Sequence, residues 1–156
     1  MIESTCCFLG HREIAQTPEL RQRLYSLVKW LIEEKQVNIF LFGSKSQFNT
    51  LCYETVSQLK EKYPHIKRIY VRAEFPVIDD GYTAYLLERY EETYYPLNVH
   101  PGRAAYVERN RHMIDQSAVC VVYYTGLLGK RKSGTALALD YAVKKNREIY
   151  RLENTC

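Results

Sequence analysis

The chain lacks several features that would settle its class at once. It has no apolar run near the roughly 18 residues a membrane span requires. Its opening, Met1-Ile2-Glu3-Ser4-Thr5, has neither the basic start nor the long apolar core of a secretory signal. No membrane partner is expected, and the compartment reads as cytoplasmic. Neither Gly-x-Gly-x-x-Gly nor a Walker-type Gly-x-x-x-x-Gly-Lys-Ser/Thr occurs. The nearest string, Gly126-Leu127-Leu128-Gly129-Lys130, has the wrong spacing, so nicotinamide redox chemistry and P-loop ATP hydrolysis drop out. Five cysteines, at positions 6, 7, 52, 120 and 156, include no Cys-x-x-Cys pair and no zinc-finger spacing. The four histidines are scattered. No metal and no cofactor is expected. Charge of either sign is also modest: 22 Lys+Arg against 18 Asp+Glu leave +4. That balance suits an anionic small molecule and is too weak and too evenly spread to argue for nucleic acid, so a nucleic-acid partner is not expected.

What is present is the makeup of one ordinary domain: 156 residues, 46% hydrophobic and 26% charged. Thr5 to Leu9 is a short apolar run closed by Gly10, which predicts a buried strand. Thr17-Pro18-Glu19-Leu20 carries helix-start chemistry, with Thr as cap, Pro at the first position and an acid in the first turn. Leu20, Leu24, Leu27, Val28 and Leu31 then recur at helical spacing. The same reading gives strands over 37–42, 66–71, 118–124 and 148–152, and helices over 47–62, 103–113 and 135–145. Alternating strands and helices imply a parallel sheet covered on both faces. The expectation is α/β, a single Rossmann-like three-layer domain over 1–156, with a mostly parallel sheet of about five strands. The whole chain has 14 Tyr against 5 Phe and 1 Trp, and an insert over about 73–100 is rich in tyrosine, with Tyr82, Tyr85, Tyr90, Tyr94 and Tyr95. Its middle, 82–94, is expected to be helical. Its tyrosines suit base stacking, self-association or packing over the sheet edge.

In open α/β sheets ligands bind beyond the carboxyl ends of the strands. Three loops on that edge carry phosphate-binding chemistry: Gly10-His11-Arg12, Gly43-Ser44-Lys45-Ser46 and Ser133-Gly134-Thr135. Glycines allow close backbone approach, and free N–H groups at helix starts bind anions. Arg12, Lys45 and Lys132 would supply counter-charge.

These same loops resemble a known group. Residues 5–12, Thr-Cys-Cys-Phe-Leu-Gly-His-Arg, look like the "TCCFxGHR" opening of the YpsA/YspA-like branch of the SLOG superfamily, Rossmann-like relatives of the Smf/DprA and LOG proteins. Gly43 to Asn49, with Glu54 beyond, is similar to that branch's "GGAxGxD…E" loop. Arg109-Asn110-x-x-Met113-Ile114-Asp115-x-Ser117 matches "RNxxMVDxS", and Ser133-Gly134-Thr135 with Tyr141-Ala142 matches "GGT…YA". The resemblance covers nearly the whole chain apart from the insert. The chain departs from it at Ser44, at Asn49 and at Ala118.

The resemblance implies a binder of nucleotides or nucleotide-derived ligands, at Gly10, His11, Arg12, Gly43, Ser44, Lys45, Asn49, Arg109, Asn110, Ser133, Gly134 and Thr135. In the LOG enzymes, which cleave N-glycosidic bonds, a Glu stands three residues after the Gly-Thr threonine. Here that position is Ala138, and Asp140 lies about 200° round the helix from it. The expectation is therefore a sensor or sequestering protein without turnover, with a homodimer or higher homo-oligomer as its assembly. The alternatives are a glycosidase using Glu54 or Glu74 as relocated acid, and a protein-interaction module. Glu74 also has the bland alternative of a surface ion pair with Arg72, Asp115 that of a turn cap, and Cys6 and Cys7 that of buried, inert strand residues.

Overall fold

The computed structural model describes residues 2–73, 79–96, 102–125 and 134–153. Its elements follow in the order β1 (Thr5–Gly10), α1 (Pro18–Glu33), β2 (Ile39–Phe42), α2 (Gln47–Lys60), β3 (Lys67–Val71), α3 (Asp80–Leu87), β4 (Glu92–Tyr94), α4 (Arg103–Asp115), β5 (Val119–Tyr123), α5 (Gly134–Lys144) and β6 (Glu148–Arg151). The strands form one sheet in the order β4-β3-β2-β1-β5-β6. Every pairing is parallel.

β1 shows why such a strand reads as an unbroken apolar run. Cys6 and Phe8 face one layer of helices, while Cys7 and Leu9 face the other. On the first face α1 contributes Leu20, Leu24, Val28, Leu31 and Ile32, and α2 contributes Phe48, Leu51, Cys52, Val56 and Leu59. Each such side chain contributes about 1.5–3 kcal/mol by leaving water. On the second face Met113 and Ile114 of α4 and Ala138 and Ala142 of α5 close over Cys7, Leu41, Cys120 and Val122. The α1 cap forms as its sequence predicts: the Thr17 hydroxyl accepts from the Leu20 N–H at 3.1 Å.

Two expectations need correction. The sheet has six strands, and the insert helix ends at Leu87 instead of running to Tyr94. Glu92–Tyr94 leaves the helical path because the open edge of β3 offers it a ladder, with Ile69 opposite Glu92 and Val71 opposite Tyr94. Glu91 fixes the approach, its carboxylate accepting from the Arg68 N–H at 2.7 Å and from the Arg68 guanidinium at 2.7 and 3.1 Å. Asp115 also has a task other than a turn cap. It sits in the last turn of α4 and accepts from the Tyr141 hydroxyl at 2.8 Å, tying α4 to α5.

Candidate functional site at the carboxyl edge of the sheet

Strand order reverses between β1 and β5: β2, β3 and β4 extend the sheet to one side, and β5 and β6 to the other. A cleft of about 830 Å³ lies along the carboxyl edge on the β1–β3 side. Its walls are the loop after β1 (Gly10, His11, Arg12), the loop after β2 (Gly43 to Ser46) and the start of α5 (Gly134, Thr135). Arg109, Asn110 and Tyr106 of α4 and Tyr82 of α3 complete them. That volume falls within the range of small-molecule and cofactor sites.

The first two loops are tied together before any ligand arrives. The Gln47 N–H donates to the Arg12 carbonyl at 2.8 Å, and the Gln47 side chain accepts from the Ile14 N–H at 2.9 Å. The Ser46 hydroxyl caps α2 by accepting from the Asn49 N–H at 3.0 Å, and it lies 2.8 Å from the Ser44 hydroxyl. Asn49 does not line the cleft. It is buried below the loop, where its side-chain oxygen accepts from the Gly43 N–H at 3.3 Å. Its part is to hold the loop's shape.

Gly10 and Gly43 are small for an internal reason. A Cβ on Gly10 would meet the Phe48 ring at 2.2 Å, and one on Gly43 would meet the Met113 sulfur at 2.5 Å and Arg109 Cδ at 2.7 Å. The protein's own side chains take the space a ligand was expected to use. Gly134 differs, since a Cβ there meets nothing within 4 Å.

The electrostatics of the cleft are one-sided. Among the described residues its lining holds Arg12, Lys45 and Arg109 and no carboxylate. Arg12 and Lys45 are exposed, whereas Arg109 is only 5% exposed and donates to the Asn110 side-chain oxygen at 3.1 Å. The rings beside these cations are tyrosines. Lys45 and Arg72 each lie 5.1 Å from the Tyr82 ring centre, and Arg109 lies 5.6 Å from that of Tyr106. Arg72 is 2% exposed and bonds the Thr83 hydroxyl. Burial, with Tyr82 close by, pushes the Tyr70 hydroxyl far above its ordinary pKa and keeps it protonated.

His11 stands at the strand-order reversal. Its Nε2 accepts from the Thr125 N–H at 2.9 Å, joining the loops after β1 and β5. Burial lowers its pKa, partly opposed by Glu153, so the ring is a neutral acceptor at pH 7. Tyr124 packs on it at 5.4 Å.

The remaining candidates lie elsewhere. Glu54 is exposed, 3.7 Å from Arg21, on the wall of a neighbouring groove. Glu74, Lys132 and Ser133 lie outside the described residues. Ala138 is 3% exposed and packs in the second core layer, while Asp140 is exposed. Cys6, Cys7, Cys52 and Cys120 are buried, and burial raises the thiol pKa of Cys6 and Cys52, so neither is a nucleophile. Among the described residues no cluster of three His, Cys, Asp or Glu side chains could hold a metal ion. No described helix is long and apolar enough to cross a membrane.

The sequence did not point to Tyr70 and Tyr106 in the cleft wall or to Arg72 beside Tyr82. Tyr106 had a usable signal, since it shares a helix face with Arg109 and Asn110 at spacings of three and four residues. A buried Arg72 had none.

No family model and no curated protein matches the chain. Solved structures do. DNA processing protein A (DprA) from Streptococcus pneumoniae superposes with a TM-score of 0.64 at 15% identity, over 97% of this chain and 50% of that protein. DNA processing protein A from Helicobacter pylori, described for its single-stranded DNA binding mode, superposes with a TM-score of 0.64 at 18% identity. That match covers 98% of this chain and 66% of the Helicobacter protein. The expectation against a nucleic-acid partner is corrected by this finding. It rested on the net charge of the whole chain, which averages away the local excess of cations in the cleft, and a protein of the same fold binds single-stranded DNA. The six parallel strands of the described residues, the helices on both faces and these superpositions together show a Rossmann-like fold shared with the DNA processing protein A structures.

Proposed function

We propose that the cleft binds a phosphorylated nucleoside, with its phosphate towards Arg12, Lys45 and the start of α5 and its base against Tyr82 and Tyr106. The observation that carries this reading is a cleft of about 830 Å³ whose described lining holds three cations, three tyrosines and no carboxylate. Phosphate answers the cations, and a planar base answers the rings. Binding without turnover is the form we favour. Ala138, at the position where the LOG enzymes carry their acid, packs in the core, and Glu54 is engaged outside the cleft.

A nucleotide within a single strand presents the same phosphate and base. The DNA-binding Helicobacter protein of the same fold favours that form as the second reading.

Thermal unfolding with thymidine monophosphate and with thymidine tests the proposal. Monophosphate at a hundred times its Kd stabilises by about 2.7 kcal/mol. For a chain of this length that is a rise in Tm of roughly 5–10 °C. Thymidine, lacking the phosphate, should shift it far less. Equal shifts, or none with any nucleotide, overturn the reading. Intact monophosphate recovered after long incubation agrees with binding alone, and released thymine reinstates the glycosidase.

A further inference from the structure

Beside the cleft runs a second groove, of about 790 Å³, which shares Lys45, Tyr70 and Tyr82 with it. Its character is aromatic. Tyr53, Tyr85 and Tyr90 add to the shared tyrosines, and Arg89 stands on its wall.

The interior rings have structural work. Tyr90 is buried, 4.9 Å from Tyr53 and 5.2 Å from Tyr70 by ring centres, and the Tyr53 hydroxyl donates to the Arg89 carbonyl at 2.7 Å. Of the outer rings, Tyr82 is half-buried against the same core, and packing does not account for Tyr85 in that way. Tyr85 is 47% exposed and lies parallel to Tyr82, with centres 5.9 Å apart and planes at 15°. The Arg89 guanidinium lies 4.3 Å over Tyr85, and the Lys45 ammonium 5.1 Å from Tyr82. A row of cation, ring, ring and cation thus leads away from the phosphate end of the cleft. Two parallel rings already in contact leave no slot for a base between them. Their solvent-facing side, where Tyr85 is 47% exposed, borders the groove with charge at each end for phosphates.

We infer that this groove is a second nucleotide subsite, so that the ligand spans at least two nucleotide units joined through phosphate, the second base stacking on the Tyr82–Tyr85 step near Arg89. The inference rests on the reading of the main cleft as a nucleotide site. Stacking surfaces flanked by cations are how proteins hold successive bases of a single strand. One carboxylate, Glu54, also lines the groove, and its Arg21 partner at 3.7 Å offsets part of its charge.

The test compares thymidine monophosphate with a phosphorylated thymidine dinucleotide on the wild type, Tyr85→Ala and Arg89→Ala. Both side chains are exposed, and neither lines the main cleft. The dinucleotide should bind about tenfold tighter than the monophosphate, the scale of one stacked base. Tyr85→Ala should erase most of that gain and leave monophosphate affinity within about twofold, since the lost stacking belongs to the second base alone. Arg89→Ala should reduce the gain and its salt dependence. If the monophosphate binds and the dinucleotide binds no tighter, or if the gain survives Tyr85→Ala, the groove is not a subsite. If neither ligand binds the wild type, the reading of the cleft itself has failed, and the subsite with it. A cyclic thymidine dinucleotide separates the two sources of such a ligand. Preference for the linear form assigns a strand end, and preference for the cyclic form assigns a small molecule.

Discussion

The two ends of the sheet make a controlled comparison, because each carries a cavity of similar size. At the amino end, before β1, β2 and β3, a cavity of about 620 Å³ is lined by Ser4, Asn38 and His65 with Glu3, Glu33 and Lys35. Two of its three charges have partners. Lys35 lies 3.2 Å from Glu148, and the Tyr63 hydroxyl bonds Glu33. At the carboxyl end the cleft is about 830 Å³, and its described lining has cations without carboxylates. Volume hardly separates the two ends, whereas charge balance does. On the proposed reading, the phosphate of a ligand answers the cations that line the carboxyl end.

Substitutions sharpen that contrast, beginning with the largest expected effect. Gly10→Ala drives a Cβ into the buried Phe48 ring and should cost about 2–3 kcal/mol. That is a fall in Tm of roughly 4–12 °C, read by calorimetry. Gly134→Ala, at the same edge but with open space around it, should leave Tm unchanged or slightly higher. Gly134→Phe should keep the fold and obstruct nucleotide binding.

Arg12→Ala removes an exposed cleft cation and should weaken thymidine monophosphate about tenfold, the scale of a charge-assisted hydrogen bond. Lys35→Ala at the amino end should leave that affinity within twofold, because its charge is spent on Glu148. Equal losses from both would mean that only net charge matters, and the comparison would break. Glu54→Gln should tighten a dinucleotide by a small factor and leave the monophosphate alone, as measured by calorimetric titration.

The smallest effect is on pH. Burial lowers the pKa of both His11 and His112, so the unfolded chain binds more protons there than the folded one. Their contribution to stability is present above the unfolded value near 6.5 and is lost as pH falls through that value towards the folded ones. Tm should therefore drop modestly between pH 7 and pH 5. A His11→Gln variant, whose side chain does not titrate, should show a shallower drop.

Much of the architecture was legible because it is encoded locally. The α1 cap at Thr17-Pro18, the apolar period through Leu31 and the doubly buried Cys6 to Leu9 strand each announce themselves within a few residues. The Glu92–Tyr94 strand did not, since three polar and aromatic residues become a strand only when the β3 edge is there to receive them. At the site, the three loops were readable from glycine, hydroxyl and cation chemistry. The roles of the glycines were not, because Phe48, Met113 and Arg109 reach them from other elements. Arg72 and Tyr70 escaped for the same reason: burial of a charge or a phenol is decided by what packs over it, and its own neighbours in sequence carry no trace of that.

The most direct test of the central claim is a titration of isotope-labelled protein with thymidine monophosphate, followed by amide chemical shifts. The account predicts that the amides of Arg12, Ser44, Lys45, Gly134 and Thr135 move together with one Kd while Gln36 and Asn38 at the amino end stay still. Shifts centred on Gln36 and Asn38, or no saturable shifts at the carboxyl edge, would contradict it.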